Sequence, residues 1–215
     1  MGRTLYFLSA GLLTWGIGTL IFAYYNIVLK VPVPYPSTAD AFYIISWPLW
    51  TLGMINLSRA TGVRFQLNNL IGRLVLFIIP IVAIIASYYL LVVVARGGTV
   101  AIADDPFGTL IALAYVIGDV VILTFTLLVY GLSFNYLGGY FKWPIIILLS
   151  GFVVNYIADF FFALTVTNET FFVANWVDLV FTVAFFLLSL AVTMIDSSRI
   201  STIKNDQADL SKLKI

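Results

Sequence analysis

The chain has 215 residues, of which 62% are hydrophobic and 10% charged, whereas soluble domains carry about 25% charged residues. Its mean hydropathy of +1.06 is too high for a water-soluble protein of this size. The lack of cysteine and histidine excludes disulfides, thiolate or imidazole metal sites and histidine-based catalysis, and a net charge of +1 offers no basic surface for nucleic acid.

Six apolar runs follow one another along the chain, each close to the roughly 20 residues that a membrane-spanning helix needs. They are too long and too uniformly apolar for the alternating strands of a membrane β-barrel. We therefore predict an all-α, polytopic integral membrane protein, a six-helix transmembrane bundle with short loops that forms one domain over residues 1–195. The predicted spans cover residues 5–29, 39–57, 70–95, 108–132, 143–166 and 172–195, and residues 196–215 form a short polar tail.

Basic residues are distributed unequally between the two ends of this predicted bundle. Nine lie at the end that holds both termini, and only Lys30 and Arg96 lie at the other. Because cytoplasmic loops carry the excess of lysine and arginine, we predict a multi-pass plasma membrane protein with its N- and C-termini in the cytoplasm. The short connections also predict that helices adjacent in sequence pack antiparallel against each other.

Three aspartates lie inside the apolar runs, at depths where the sequence places no basic residue. Asp119 is near the middle of the fourth span, and Asp159 and Asp178 are in the outer halves of the fifth and sixth. A fourth acid, Asp40, lies at the outer end of the second span. An unpaired carboxylate in hydrocarbon is costly, so these side chains are expected to be protonated, hydrated or bound to a cation.

Polar and aromatic side chains accompany these acids at helical spacing, which places them on the same faces of their helices. If the faces converge, they form an outward-opening acidic and aromatic pocket whose candidate residues are Asp119, Asp159, Asp178, Asn155, Tyr115, Asn175, Asp40 and Tyr43. An oxygen-only donor set suits a proton, a small cation or a small polar or lipid-like ligand better than zinc or copper. We therefore predict no metal centre of that kind and no cofactor.

Each acid also has a structural explanation. Asp40 follows Ser37 by three residues, the spacing of a capping box, and Asp178 lies in the first turns of its helix, where a carboxylate is favourable. Asp119 and Asp159, if protonated, would hold neighbouring helices together by hydrogen bonds.

Two acids on different membrane helices also raise the question of an intramembrane aspartyl protease. That class requires a Gly-x-Gly-Asp signature, and the corresponding residues are Val116-Ile117-Gly118-Asp119, with one glycine missing. The partner Tyr-Asp pair is missing as well. The chain is therefore predicted not to be an enzyme.

Four short motifs occur in order along the chain. They are Pro36-Ser37-Thr38-Ala39-Asp40-Ala41-Phe42-Tyr43 with Trp47-Pro48-Leu49, then Ala114-Tyr115-Val116-Ile117-Gly118-Asp119, Ile157-Ala158-Asp159 and Asp178-Leu179-Val180-Phe181. In these motifs the chain resembles the multi-span membrane domains found N-terminal in bacterial GGDEF and EAL signalling proteins. The resemblance implies a membrane input module coupled to a cytoplasmic output domain, with site residues among Asp40, Tyr43, Asp119, Asp159 and Asp178. The 20 residues after Ile195 contain no output-domain sequence, so we expect a stand-alone module.

The function that these observations predict is a sensory or ligand-binding membrane module that acts through a separate cytoplasmic or membrane partner. A small cation- or proton-coupled transporter or channel, possible as an oligomer, is the first alternative. A structural or assembly subunit of a membrane complex, in which the acids only hold helices together, is the second.

Overall fold

The computed structural model describes residues 2–61, 63, 67–102, 104–133 and 142–195. Within these residues the fold is all α-helical, with six long helices and no strand. The helices are α1 (Gly2–Ala23), α2 (Thr38–Ala60), α3 (Leu70–Ser87), α4 (Pro106–Ser133), α5 (Lys142–Thr167) and α6 (Trp176–Met194), and π-helical segments extend α1 over Tyr24–Leu29 and α3 over Tyr88–Val94. The predicted all-α fold class is confirmed, whereas the predicted tail at 196–215 lies outside the described residues.

Five helical segments are long and apolar enough to cross a membrane, which fits a helical membrane protein. They are Gly2–Leu29, Leu70–Val94, Pro106–Leu132, Lys142–Thr167 and Trp176–Met194. The sixth helix, α2, is not among them, because its 23 residues include Asp40, Asn56 and Arg59 as well as Pro48. The structure thus has one fewer helix of this kind than the six predicted spans.

Local capping determines where two of the helices begin. α6 begins at Trp176 rather than at residue 172, because Asn175 is extended and its Oδ1 accepts a hydrogen bond from the Val177 N–H at 2.8 Å. α2 begins at Thr38, directly after Ser37, which forms the predicted capping box with Asp40. These caps satisfy backbone N–H groups that have no partner within the first turn of a helix.

Five of the helices form a closed ring in the order α1, α2, α4, α5 and α6, with α6 packed back on α1. α3 lies outside this ring, against α4, and its π-helical segment reaches α5. α2 therefore packs mainly on α1 and α4, and the prediction that helices adjacent in sequence pack together is wrong for α2 and α3. The physical reason is that α3 buries only the small residues Gly72, Ala83 and Ser87, while its large apolar side chains point away from the bundle.

Aromatic side chains fill the centre of the ring. The rings of Trp15 and Trp50 are 4.9 Å apart, and Trp47 and Phe152 each pack edge-on against Trp50 at 5.8 and 5.4 Å. Aromatic pairs of this kind contribute about 0.5–1.5 kcal/mol each beyond the burial of their surface. Gly118 on α4 makes room for this cluster, since a Cβ atom there would lie 2.7 Å from the Trp47 ring. The core therefore fixes how α2 and α4 face each other.

Candidate carboxyl site

Asp119 and Asp159 face each other between α4 and α5. Their carboxyl groups are close enough to share a hydrogen bond. Asp119 is only 3% exposed, and none of the described N–H or O–H donors reaches its Oδ1 atom. Asp159 is half-buried, and its Oδ2 accepts a hydrogen bond from the Asn155 amide at 2.8 Å. The predicted polar face of α5 therefore exists, and it meets Asp119.

A hydrogen bond between two carboxyl groups has a chemical requirement, because two ionised carboxylates are both acceptors and repel each other. One of the two groups must carry a proton for the bond to form, as in the paired aspartates of acid proteases. The close approach of Asp119 and Asp159 thus requires at least one proton on the pair.

A second carboxyl contact joins α2 to α4. The Tyr115 hydroxyl donates a hydrogen bond to Asp40 Oδ1 at 2.7 Å. Asp40 Oδ2 accepts from the backbone N–H and the hydroxyl of Ser37 at 2.6 and 2.8 Å. Asp40 is therefore both the predicted helix cap and an interhelical acceptor. Tyr115 lies one helical turn before Asp119 on α4, so this contact is next to the carboxyl pair.

Asn175 and Asp178 serve mainly as caps of α6. Asn175 accepts from the backbone N–H groups of Val177 and Asp178, and Asp178 Oδ2 accepts from the Ala174 N–H at 2.6 Å. Tyr43 is within electrostatic range of Asp40, Asp159 and Asp178. Its hydroxyl makes one long hydrogen bond, 3.4 Å, to Thr19. Of the eight predicted site residues, four are paired across helices, namely Asp40 with Tyr115 and Asp119 with Asp159.

Arg96 is a participant that sequence reasoning missed. It follows the π-helical segment of α3, is half-buried, and its Nη1 donates to the Leu91 carbonyl at 2.7 Å. Burial lowers the pKa of the Arg96 guanidinium, and the charges of Asp119 and Asp159 oppose that change. Arg96 lies outside the predicted spans, as its place in the sequence indicates, but it is within electrostatic range of both acids. The sequence contained one signal for this position: Arg96 follows the predicted span 70–95 by one residue, and a long side chain there can fold back along the helix.

The loops beside the site also meet there. Tyr35, in the α1–α2 loop, directs its hydroxyl to the Gly108 carbonyl at 3.4 Å. Burial raises the pKa of Tyr35 to about 12, with Asp40 and Asp105 raising it further and Arg96 opposing them. The α1–α2 and α3–α4 loops are thus close enough to share one electrostatic environment with Asp40.

A further buried polar contact joins α5 to α3. The Tyr156 hydroxyl of α5 donates to the Ser87 hydroxyl of α3 at 3.0 Å, and Tyr156 is within electrostatic range of Asp119. This contact is the polar link between the ring and the outer helix α3. It was not predicted, because serine and tyrosine within apolar runs give no signal of their own.

The carboxyl groups line neither of two surface grooves that the described residues form. One, of about 450 Å³, is at the end of α1 and is lined by Asn26, Ile27, Lys30, Val31, Pro32 and Val173. The other, of about 320 Å³, is between α2 and α4 and is almost entirely apolar. Neither groove therefore corresponds to the predicted acidic pocket, which stays a prediction.

Family models, curated proteins and solved structures were all compared with the chain, and none of them matches it. Among the described residues, no group of three or more acidic side chains has the arrangement of a metal site. The function must therefore be argued from the carboxyl pair and its surroundings.

Proposed function

We propose that this protein is a six-span sensory module of the plasma membrane that binds a proton at the Asp119–Asp159 pair and acts through a separate partner. The observation that carries the proposal is the close approach of two carboxyl groups on different helices, of which Asp119 is buried and Asp159 half-buried. A hydrogen bond between them needs at least one proton and is lost when both groups ionise, so the packing of α4 on α5 depends on proton occupancy.

The surroundings favour a proton over a metal cation. Arg96 supplies positive charge near both carboxyl groups, and this charge opposes a divalent metal ion more strongly than a single proton. Asp119 Oδ1 has no N–H or O–H donor among the described residues, so no fixed hydrogen bond competes with a proton there. A buried carboxyl pair of this kind is a common carrier of protons in membrane proteins.

The route for the proton is the contact between Asp40 and Tyr115. Asp40 lies at the N-terminus of α2, next to the loops, and it bonds to Tyr115 one turn from Asp119. Carboxyl and phenol groups can both accept and release protons. These residues therefore connect the end of the bundle with the buried pair.

Five apolar helices indicate a membrane protein, and the proposal adds a sixth span and an orientation in the membrane. We propose that α2 is also a span, because its 23 residues would be about 34 Å long against a hydrocarbon thickness of about 30 Å. Two of its polar side chains, Asp40 and Ser46, are buried in the bundle. The uneven distribution of basic residues then assigns both termini to the cytoplasm and the carboxyl site to the outer half of the membrane.

The sensory role follows from the helices that the site connects. Changes at the pair would alter α4 and α5, and the Asp40–Tyr115 bond would transmit them to α2. A proton that binds one packing arrangement better than another shifts the population between them. The resemblance to membrane input domains supports the same role, with a cytoplasmic or membrane partner that reads the arrangement.

A distance measurement tests this proposal. The chain has no cysteine, so Arg59→Cys and Trp143→Cys together would supply two unique labelling positions. Arg59 is near the C-terminus of α2 and Trp143 near the N-terminus of α5, in each case the end of the helix that is far from the site. In phosphatidylcholine nanodiscs we expect the label distance to change with pH, and to stop changing when Asp119→Asn and Asp159→Asn are added. A pH response that survives both substitutions would refute the proposed sensor site.

Proton transport is the second candidate, favoured by the bonded connection from Ser37 through Asp40 to Tyr115. Proteoliposomes loaded with a pH-sensitive dye would separate the two functions. A sensor leaves the internal pH unchanged after an external pH step, whereas a transporter or channel changes it unless Asp119 is replaced by asparagine. A stable stoichiometric partner without any pH response would instead favour a structural subunit.

A further inference from the structure

The groove at the end of α1 combines one charged side chain with apolar walls. Its volume of about 450 Å³ is within the roughly 300–1,000 Å³ of small-molecule sites. Two of its lining residues are polar and four are apolar, namely Asn26 and Lys30 against Ile27, Val31, Pro32 and Val173. The groove therefore has a place for an ionic group next to a place for a hydrocarbon chain.

The two polar residues of this lining have capacity for a ligand. The Lys30 side chain is exposed, and among the described residues no carboxylate forms an ion pair with it. The Asn26 amide donates to the Phe22 carbonyl at 2.9 Å, whereas its Oδ1 atom accepts no hydrogen bond from the described residues. The groove thus presents one positive charge and one acceptor, which suit a ligand that carries a negative charge and a hydroxyl group.

The backbone of Lys30 adopts a conformation that favours glycine. Its φ of 55° and ψ of 37° are left-handed, and its N–H donates to the Tyr25 carbonyl at the end of the π-helical segment. Any residue except proline can supply that N–H, and glycine supplies it there with the least strain. A lysine in this conformation is therefore a reason to look for a function of its side chain.

The groove lies at the depth of the lipid headgroups. The 22 residues of α1 are about 33 Å long, against a hydrocarbon thickness of about 30 Å, and Lys30 follows its π-helical extension. Tyr24 and Trp176, at the same end of the bundle, are each 50% exposed, as is typical of side chains at a membrane–water interface. Lipid phosphate groups are therefore within reach of the Lys30 ammonium.

We propose that this groove binds a phospholipid of net negative charge whose headgroup carries a hydroxyl, as phosphatidylglycerol does. The phosphate binds the Lys30 ammonium, the headgroup hydroxyl donates to Asn26, and an acyl chain lies along Ile27 and Val173. A choline headgroup fits less well, because its ammonium would lie beside Lys30 and the lining contains no acidic residue to pair with it. This site is separate from the carboxyl pair and does not depend on the proposed sensory function.

Native mass spectrometry of the detergent-solubilised protein, titrated with dioleoylphosphatidylglycerol and dioleoylphosphatidylcholine, tests the proposal. We expect the first phosphatidylglycerol to bind about fivefold more tightly than the first phosphatidylcholine, the factor that one basic side chain contributes toward anionic lipid. Lys30→Asn removes the charge at a φ that asparagine tolerates, and should abolish this preference. Lys30→Arg keeps the charge and should keep the preference. Val173→Trp fills the groove without changing its charge, and should weaken phosphatidylglycerol binding.

The matched control is Lys142→Asn, because Lys142 begins α5 at the opposite end of the bundle and is not in the groove lining. It should keep the full preference for phosphatidylglycerol. Equal binding of the two lipids, a preference that survives Lys30→Asn, or unchanged binding in Val173→Trp would each overturn the proposal. Displacement of the lipid by an equal concentration of glycerol 3-phosphate would also overturn it, since the groove would then recognise a soluble phosphate rather than a lipid.

Discussion

Two substitutions of Asp119 should show separately what the hydrogen bond between α4 and α5 contributes and what the ionisable carboxyl group contributes. In Asp119→Asn the new amide can donate to Asp159 permanently, so the contact no longer needs a proton. In Asp119→Ala the contact is lost, and the Asp159 carboxyl keeps only the Asn155 amide as its described donor. At neutral pH we therefore expect the asparagine variant to be the more stable of the two.

The expected difference in stability between the two variants follows from the type of hydrogen bond that the alanine variant loses. A hydrogen bond to a charged group contributes about 1.5–3 kcal/mol. For a chain of this length 1 kcal/mol corresponds to about 2–4 °C, so the two variants should differ by about 3–12 °C in Tm. The burial of Asp119, at 3% exposed, supports using the full value without a large reduction for solvent screening.

The assay is thermal unfolding of the purified variants in nanodiscs, at one fixed lipid composition. Asp104→Asn is the matched control, because Asp104 is exposed and its φ of 59° is one that asparagine tolerates. We expect that control to unfold within about 1 °C of the wild type, as surface substitutions usually do. Equal stability of Asp119→Asn and Asp119→Ala would refute the interhelical bond.

Three further substitutions test the surroundings of the pair. Arg96→Gln removes a positive charge near both carboxyl groups, so the pair should keep its proton to a higher pH, measured by infrared titration of the carboxyl band. Tyr115→Phe removes the bond to Asp40 and should slow proton exchange after a pH jump, while lowering stability by about 1–3 kcal/mol. Gly151→Ala would place a Cβ atom 2.8 Å from Leu188 Cδ2 and 3.2 Å from its backbone N, so overpacking should lower stability by about 1–3 kcal/mol.

Each of these tests has a control or a contradicting result. Gly16→Ala should be tolerated, since its Cβ atom would lie 3.7 Å from the nearest side chain, and equal effects of the two glycine substitutions would contradict the α5–α6 packing. Tyr43→Phe should leave the exchange rate nearly unchanged, because its hydroxyl bonds only weakly to Thr19. An unchanged titration in Arg96→Gln would show that this charge does not act on the pair.

The sequence was sufficient for features that depend on local spacing. Long apolar runs predicted the helices. The hydrophobic effect is non-directional, so an apolar run is driven out of water whichever helix or lipid covers it. The capping box of Ser37 with Asp40 and the bond between Asn155 and Asp159 both join residues within one turn. Such contacts are determined by helical geometry alone.

Features that depend on how helices rotate and pack could not be predicted. Nothing in the apolar runs indicates that Tyr115 faces Asp40 or that Asp119 faces Asp159, because helix rotation in lipid follows the fit of side chains such as Trp47 against Gly118. The position of α3 outside the ring has the same origin. Arg96 was assigned to the loop by its place in the sequence, whereas its flexible side chain folds back toward the acids.

The central claim is that Asp119 and Asp159 share one proton, and infrared spectroscopy of protein with isotope-labelled aspartate observes that proton directly. The account predicts a carbonyl band of a protonated aspartic acid at neutral pH in the folded wild type. In Asp119→Asn the amide replaces the proton, so this band should disappear while the variant stays folded. A wild type without the band, or a band that persists in both Asp119→Asn and Asp159→Asn, would contradict the shared proton and with it the proposed site.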